Sequence, residues 1–343
     1  MTTEQRPEGV TLLDVRPRAG IEGGRVVIDC RDMDAQAFAK ARLKFGGVPS
    51  RLVFARSDLV IGKIPLDATG GQITLEMNGY ESNALPYEVA ARVAHNLHPV
   101  ANPVIDPAGN LYVTLSGSRG QKMPVSVYKI SPRGILTPFV REIINPTGMA
   151  LAPDGDLYIS SRFDGDVYRV RPDGTVSVFA RNLGVATGVA LDRQGYLYVG
   201  DREGTIYRVN REGIAIAFAT LAPSVAAFHL TFDTHGDLYA TNPSMSGYDS
   251  IYRITPDSEV HTFFSNLGRA QGLAFDGENN LYVVAHLQGE GGVIKITPQG
   301  EATHVVSGVS LVGLALDSLG QMIVVSTAAV YRLRLEGVGK PSP

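Results

Sequence analysis

GVALDRQGYLYVGDREGTIYRVNREGIAIAFA, residues 188–219, decides the architecture, because it holds four short strand-like runs separated by turns and recurs along the chain. An inner run Gly188-Val189-Ala190-Leu191 ends at Asp192, and the turn Arg193-Gln194-Gly195 leads into Leu197-Tyr198-Val199. Arg202-Glu203-Gly204 then turns into Ile206-Tyr207-Arg208-Val209, and Gly213 precedes a last run from Ile214 to Ala219. Short Val, Ile and Tyr runs punctuated by Gly, Asp and Asn are strand and turn chemistry. The landmark dipeptide returns as Leu111-Tyr112, Leu157-Tyr158, Leu197-Tyr198, Leu238-Tyr239 and Leu281-Tyr282, with a degenerate copy at Met322-Ile323. The intervals are 46, 40, 41, 43 and 41 residues. Four strands per unit at a period of roughly 40–45 residues specify a β-propeller, and six copies predict six blades. The recurring Asp, Gly and Tyr are blade-building residues first, since chemistry needs a residue once and the fold needs it in every unit.

The sixth copy ends without an outer strand, which would leave an unpaired edge. The missing piece lies upstream: residues 91–106, ARVAHNLHPVANPVID, align with residues 176–192 and 260–276. Residues 89–95 are therefore expected to close the ring beside the C-terminal strand, and deleting residues 325–343 is expected to unfold the propeller. Residues 1–8 and 338–343 read as flexible tails flanking a unit at 9–88 and a propeller at 89–337.

In the unit at 9–88, Val26, Ile28 and Cys30 fall on one face at period two, which predicts a small sandwich with one face buried. Cys30, the only cysteine, is a structural thiol or a nucleophile, and its apolar strand favours the first. Pro17, Gly20, Gly23-Gly24, Val26, Ile28, Phe45-Gly46-Gly47 and Pro65 form a pattern that resembles the IPT/TIG immunoglobulin-like domain. That resemblance implies a spacer or binding module. The expected fold class is thus all-β, an immunoglobulin-like sandwich followed by a six-bladed propeller.

Glycine, at 38 of 343 residues, is enriched as turn-dense β folds require. With 31 basic against 34 acidic side chains there is no basic stripe, which argues against nucleic acid as a partner. The N-terminus has no apolar stretch, so neither a membrane span nor a secretory signal is predicted. The sequence as written implies a cytoplasmic protein, or an extracytoplasmic one if a signal has been removed.

Candidate site residues come from the shared face of the blades, where inner strands begin and second strands end. At the glycine position of the inner strands stand Asn102, Gly148, Gly188, His229, Gly272 and Gly313, preceded by Ala101, Thr147, Thr187, Phe228, Gln271 and Val312. Asn102 and His229 replace glycine in two opposed blades, so they are candidates for touching a ligand. The second strands end in Ser161-Arg162, Asp201-Arg202, Asn242-Pro243, Ala285-His286 and Ser326-Thr327. Arg162 and Arg202 occupy one slot in neighbouring blades, where they would form a paired anion clamp. The plainer expectation is that each pairs with a nearby Asp such as Asp164 or Asp201. The ligand-binding candidates are therefore Asn102, Thr147, Arg162, Thr187, Asp201, Arg202, His229, Asn242, Gln271 and His286. The loops at 115–126 and 242–250 are long enough to cover the mouth. His229 is the first candidate for a catalytic base if the chain is an enzyme.

The inner-strand pattern P-x-G-x-A-x-D-x-x-G-x-LYV is similar to NHL-type repeats, and the propeller resembles the superfamily of NHL proteins and the senescence marker protein/gluconolactonase hydrolases. In the hydrolases a Glu, an Asn and an Asp hold a divalent metal that polarises a lactone carbonyl and lowers the pKa of bound water. The matching positions here are Ala101, Thr147 and Gln271, none of which carries charge, so the resemblance implies a lost metal site. The turns Thr255-Pro256-Asp257 and Arg171-Pro172-Asp173-Gly174 are also similar to those of streptogramin lyase propellers, which use His and Glu with a metal on seven blades. These readings imply a binding protein whose channel mouth takes a small polar ligand or a partner segment, with no cofactor. The alternative is a diverged metal-dependent lactone or ester hydrolase that uses calcium, manganese or zinc.

Overall fold

The computed structural model describes residues 9–34, 36, 38–335, 337–339 and 341, and its regular elements are all β strands. The tail expected at 1–8 lies outside the described residues, as do 340, 342 and 343 of the one expected at 338–343.

The third repeat shows why the sequence builds these sheets. Ala186–Leu191, Leu197–Asp201, Thr205–Val209 and Ala215–Thr220 pair antiparallel in that order. Leu197–Asp201 is buried along its whole length because its sheet packs between two neighbours, whereas the outer strand is largely exposed. Asp192 Oδ1 accepts from the backbone N–H groups of Gln194 and Tyr196, so the recurring aspartate ties the turn after the inner strand. The recurring tyrosine stacks edge-on against a phenylalanine of its own outer strand. The pairs are Tyr112–Phe139, Tyr158–Phe179, Tyr198–Phe218 and Tyr239–Phe263, with ring centroids 4.7–5.1 Å apart.

The inner strands Val104–Ile105, Pro146–Leu151, Ala186–Leu191, His229–Phe232, Leu273–Phe275 and Leu311–Leu316 touch one another in cyclic order. Closure follows the expected route. Ala91–His95 pairs antiparallel with Ala329–Arg334, placing Arg92 opposite Tyr331 and Ala94 opposite Val330.

Two expectations are corrected. Blades that stand as sheets of their own number five, each four-stranded, rather than six. The strands of the remaining repeat, Leu273–Phe275, Leu281–Leu287, Glu290–Ile296 and Ala302–Ser307, belong instead to a thirteen-stranded sheet that also contains the N-terminal strands. The joint is Ala19–Gly20, which pairs in parallel with Ser307 on one side and with Leu85–Val89 on the other. Residues 9–88 are therefore no separate immunoglobulin-like sandwich, and no IPT/TIG domain stands apart from the propeller. The physical reason is the open edge of Ala302–Ser307, whose backbone groups take partners from the N-terminal segment; Ile21 N–H donates to Ser307 O at 2.9 Å. Gly20 permits this approach, because a Cβ there would overlap Ile64 Cδ1 and lie 2.9 Å from Ser307 O. The buried face Val26, Ile28, Cys30 packs with Leu43, Phe45, Ile73 and Leu75. Burial pushes the Cys30 thiol up to about 11, as suits a structural residue.

Candidate functional site

Neighbouring inner strands close up on one another at their glycines. A Cβ at Gly148 would overlap Thr187 O, one at Gly188 would sit 2.5 Å from Phe228 O, and one at Gly313 would sit 2.7 Å from Ala101 O. These glycines are there because neighbouring inner strands meet backbone to backbone.

Asn102 is part of this closure. Its Nδ2 donates to Leu273 O at 2.9 Å and its Oδ1 accepts from Leu314 N at 3.1 Å, so one amide links its segment to two other inner strands. The hydroxyls of Thr147 and Thr187 are similarly engaged: Thr147 Oγ1 donates to Asn145 O, and Thr187 Oγ1 donates to Gly200 O and accepts from Phe228 N. His229 is 5% exposed, and burial lowers its pKa to about 4, so the imidazole is neutral at ordinary pH. Across the pair of strands stands Thr241, whose buried Oγ1 has no partner among the described residues.

The rim above the closure is different. Arg162 and Arg202 follow second strands of adjacent blades in the same local geometry, with Arg162 N on Asn145 O at 3.3 Å and Arg202 N on Val185 O at 3.2 Å. Arg162 Nη2 donates to Gly117 O at 2.9 Å, and Arg202 Nη2 donates to Val225 O at 2.9 Å. Neither takes part in an ion pair among the described residues, which corrects the expected pairing with Asp164 or Asp201. Asp164 instead accepts from the Tyr168 hydroxyl, and Asp201 Oδ1 accepts from Val185 N. Burial, then the charges of Arg202 and Arg119, hold the Arg162 guanidinium below its usual pKa. Asn242 continues the rim: its Nδ2 donates to Ala222 O, while its buried Oδ1 is unpartnered, as is Arg162 Nε. Asp201 is a turn anchor lying under Gly184, where a Cβ would overlap its carboxylate.

The structure thus brings Arg162, Arg202 and Asn242 to one rim and leaves Asn102, Thr147, Thr187 and His229 beneath it. Gln271 is half-buried with its N–H on Val284 O. His286 is turned away, bridging to Gly268 and lying over Gly291. Sequence reasoning missed Arg119. It sits in the long loop at 115–126, outside the repeat register, and only the loop's length marked the place.

A divalent cation does not fit the three family positions. Ala101 offers no donor, Thr147 has spent its hydroxyl, and Gln271 is uncharged. Among the described residues no three His, Cys, Asp or Glu side chains gather in a metal-holding group. A surface cleft of about 430 Å³ lies elsewhere, where Glu22, Leu66, Val309, Thr327 and Tyr331 meet between the N-terminal strands and the last blade. No helix among the described residues is long and apolar enough to cross a membrane.

The family described as strictosidine synthase-like, N-terminal, matches residues 188–209, the stretch from the inner strand of the third repeat through its third strand. No curated protein matches the chain. Among solved structures, a putative gluconolactonase superposes with a TM-score of 0.60 at 18% identity, covering 72% of this chain and 92% of its own. An auxiliary nutrient binding protein from Bacteroides ovatus superposes at 0.53 and 12% identity, covering 96% of this chain and 98% of its own. A catalytically inactive virginiamycin B lyase from Staphylococcus aureus, with quinupristin, superposes at 0.53 and 13% identity over 95% of this chain and 99% of its own. At such identities the likeness shows a shared propeller fold and nothing of the chemistry carried on it.

Proposed function

We propose that the protein is a binding protein that takes a small polar ligand, or a segment of a partner, on the rim formed by Arg162, Arg202 and Asn242. The observation that carries this reading is a rim with unmet polar groups. Arg162 Nε and Asn242 Oδ1 are buried without partners among the described residues, and such groups are met by water or by a bound molecule. The hydrolase alternative draws no support from the side chains present, because His229 has no carboxylate partner and lies under the rim.

The test is a thermal-unfolding screen with sugars, organic acids and short peptides, repeated for each hit on Arg202→Ala and Asn242→Ala. A hit that weakens in both variants supports the rim. Hits that ignore both and weaken instead in Thr327→Trp would place binding in the cleft beside Glu22 and refute the proposal.

A further inference from the structure

Resting on the rim reading, we infer that the ligand carries an oxyanion, a carboxylate or a phosphate, held between Arg162 and Arg202 with Arg119 at its edge. Elsewhere in the propeller several arginines are held by a carboxylate, while others, such as Arg141 and Arg211, rest on backbone carbonyls. Arg169 pairs with Asp156, Arg253 Nε lies 2.6 Å from Asp237, and Arg181 lies 3.6 Å from Asp166. At the rim none of the three arginines has a carboxylate among the described residues, and after burial the charges of Arg202 and Arg119 act against protonation of Arg162. The side-chain contacts of Arg162 and Arg202 are to neutral acceptors, Ser116 Oγ, Gly117 O, Ser224 O and Val225 O.

Those anchors fix the direction of the two guanidinium groups and leave both Nη1 groups, and Nε of Arg162, without a partner among the described residues. Arg162 Nε is buried and unpartnered, so the missing acceptor is internal to the rim rather than bulk solvent. Like charges near one another cost stability until an anion offsets them, and the planar fork of arginine matches two oxygens of one carboxylate or phosphate. No neighbouring acid competes for the place, because Asp201 and Asp164 are held by backbone and tyrosine donors.

The experiment titrates inorganic phosphate and acetate separately at constant ionic strength, reading the thermal midpoint and backbone amide exchange over residues 161–163 and 201–204. One of the two is expected to raise the midpoint saturably and slow exchange on the rim. Its apparent affinity should fall about tenfold or more in R202Q and by a smaller factor in R119Q, whose side chain is exposed and whose loss leaves folding intact. Which anion saturates first tells whether the natural group is phosphate or carboxylate. The inference is overturned if neither anion gives a saturable response, or if R202Q and R119Q bind as tightly as the wild type. A neutral sugar or peptide that protects the rim equally in wild type and R202Q would overturn the oxyanion while leaving the rim as the binding surface.

Discussion

Lowering the pH should destabilise this protein well before its carboxylates titrate, and His229 is the reason. An ordinary histidine takes its proton near pH 6.5, whereas burial holds His229 down to about 4. The unfolded chain therefore binds the proton first as the pH falls. The contribution of neutral His229 is complete above pH 6.5 and is lost as the pH drops toward 4. At pH 5 the difference amounts to about 2 kcal/mol, taking roughly 1.4 kcal/mol per pKa unit. With an unfolding entropy of about 2 cal/mol/K per residue, that is a fall of about 3 °C in the midpoint for a chain of this length. His304, also depressed by burial, acts in the same direction, so the measurement is a difference. Urea unfolding of wild type and His229→Gln at pH 8 and pH 5 should show the wild type losing about 2 kcal/mol more than the variant. NMR of the imidazole protons should give a midpoint near 4. Parallel losses in the two proteins would refute the argument, because His229 would then charge as readily folded as unfolded.

The close approach of neighbouring inner strands predicts that Gly272→Ala costs about 3 kcal/mol in urea unfolding, since its Cβ would overlap Asn102 Oδ1 and lie 2.6 Å from Gly313 Cα. Asn102→Asp should lose a similar amount at pH 7, because a carboxylate cannot donate to Leu273 O; a neutral effect would show that the amide does not bind the strands together. Deleting residues 325–343 removes Ala329–Arg334, the partner of both Gln321–Ser326 and Ala91–His95, and far-ultraviolet circular dichroism should show loss of the propeller rather than of one strand. At the joint, Gly20→Leu would drive a side chain into Ile64 and Tyr87. Limited proteolysis should then cut near residues 19–24 faster than in the wild type, and an unchanged pattern would mean that Ala19–Gly20 does not hold the two parts together.

What the sequence disclosed depended on whether a feature repeats. The Leu-Tyr landmarks fall on second strands, and residues 91–95 show themselves as a displaced outer strand because they match the same segment of other repeats. The joint left no such trace. Two residues, Ala19 and Gly20, make it, and a strand that short has no periodicity to read. Polar residues replacing glycine made Asn102 and His229 legible as candidates for touching a ligand, but the contacts of Asn102 with backbone groups 171 and 212 residues away are invisible to any local pattern. Arg162 and Arg202 were legible because they share a slot, whereas Arg119 lies where the repeat says nothing.

Inner strands that meet through glycine bring neighbouring blades together until their backbones touch. Residues after the second strands stand beyond that contact. Arg162 and Arg202 are fixed there on loop carbonyls of the adjoining blades. A fold that spends its other buried acids on turns and on its own arginines leaves this charge unmatched. On the proposed reading, specificity resides in which loop residues reach the rim, Arg119 among them, and substitutions there should change binding without changing the ring.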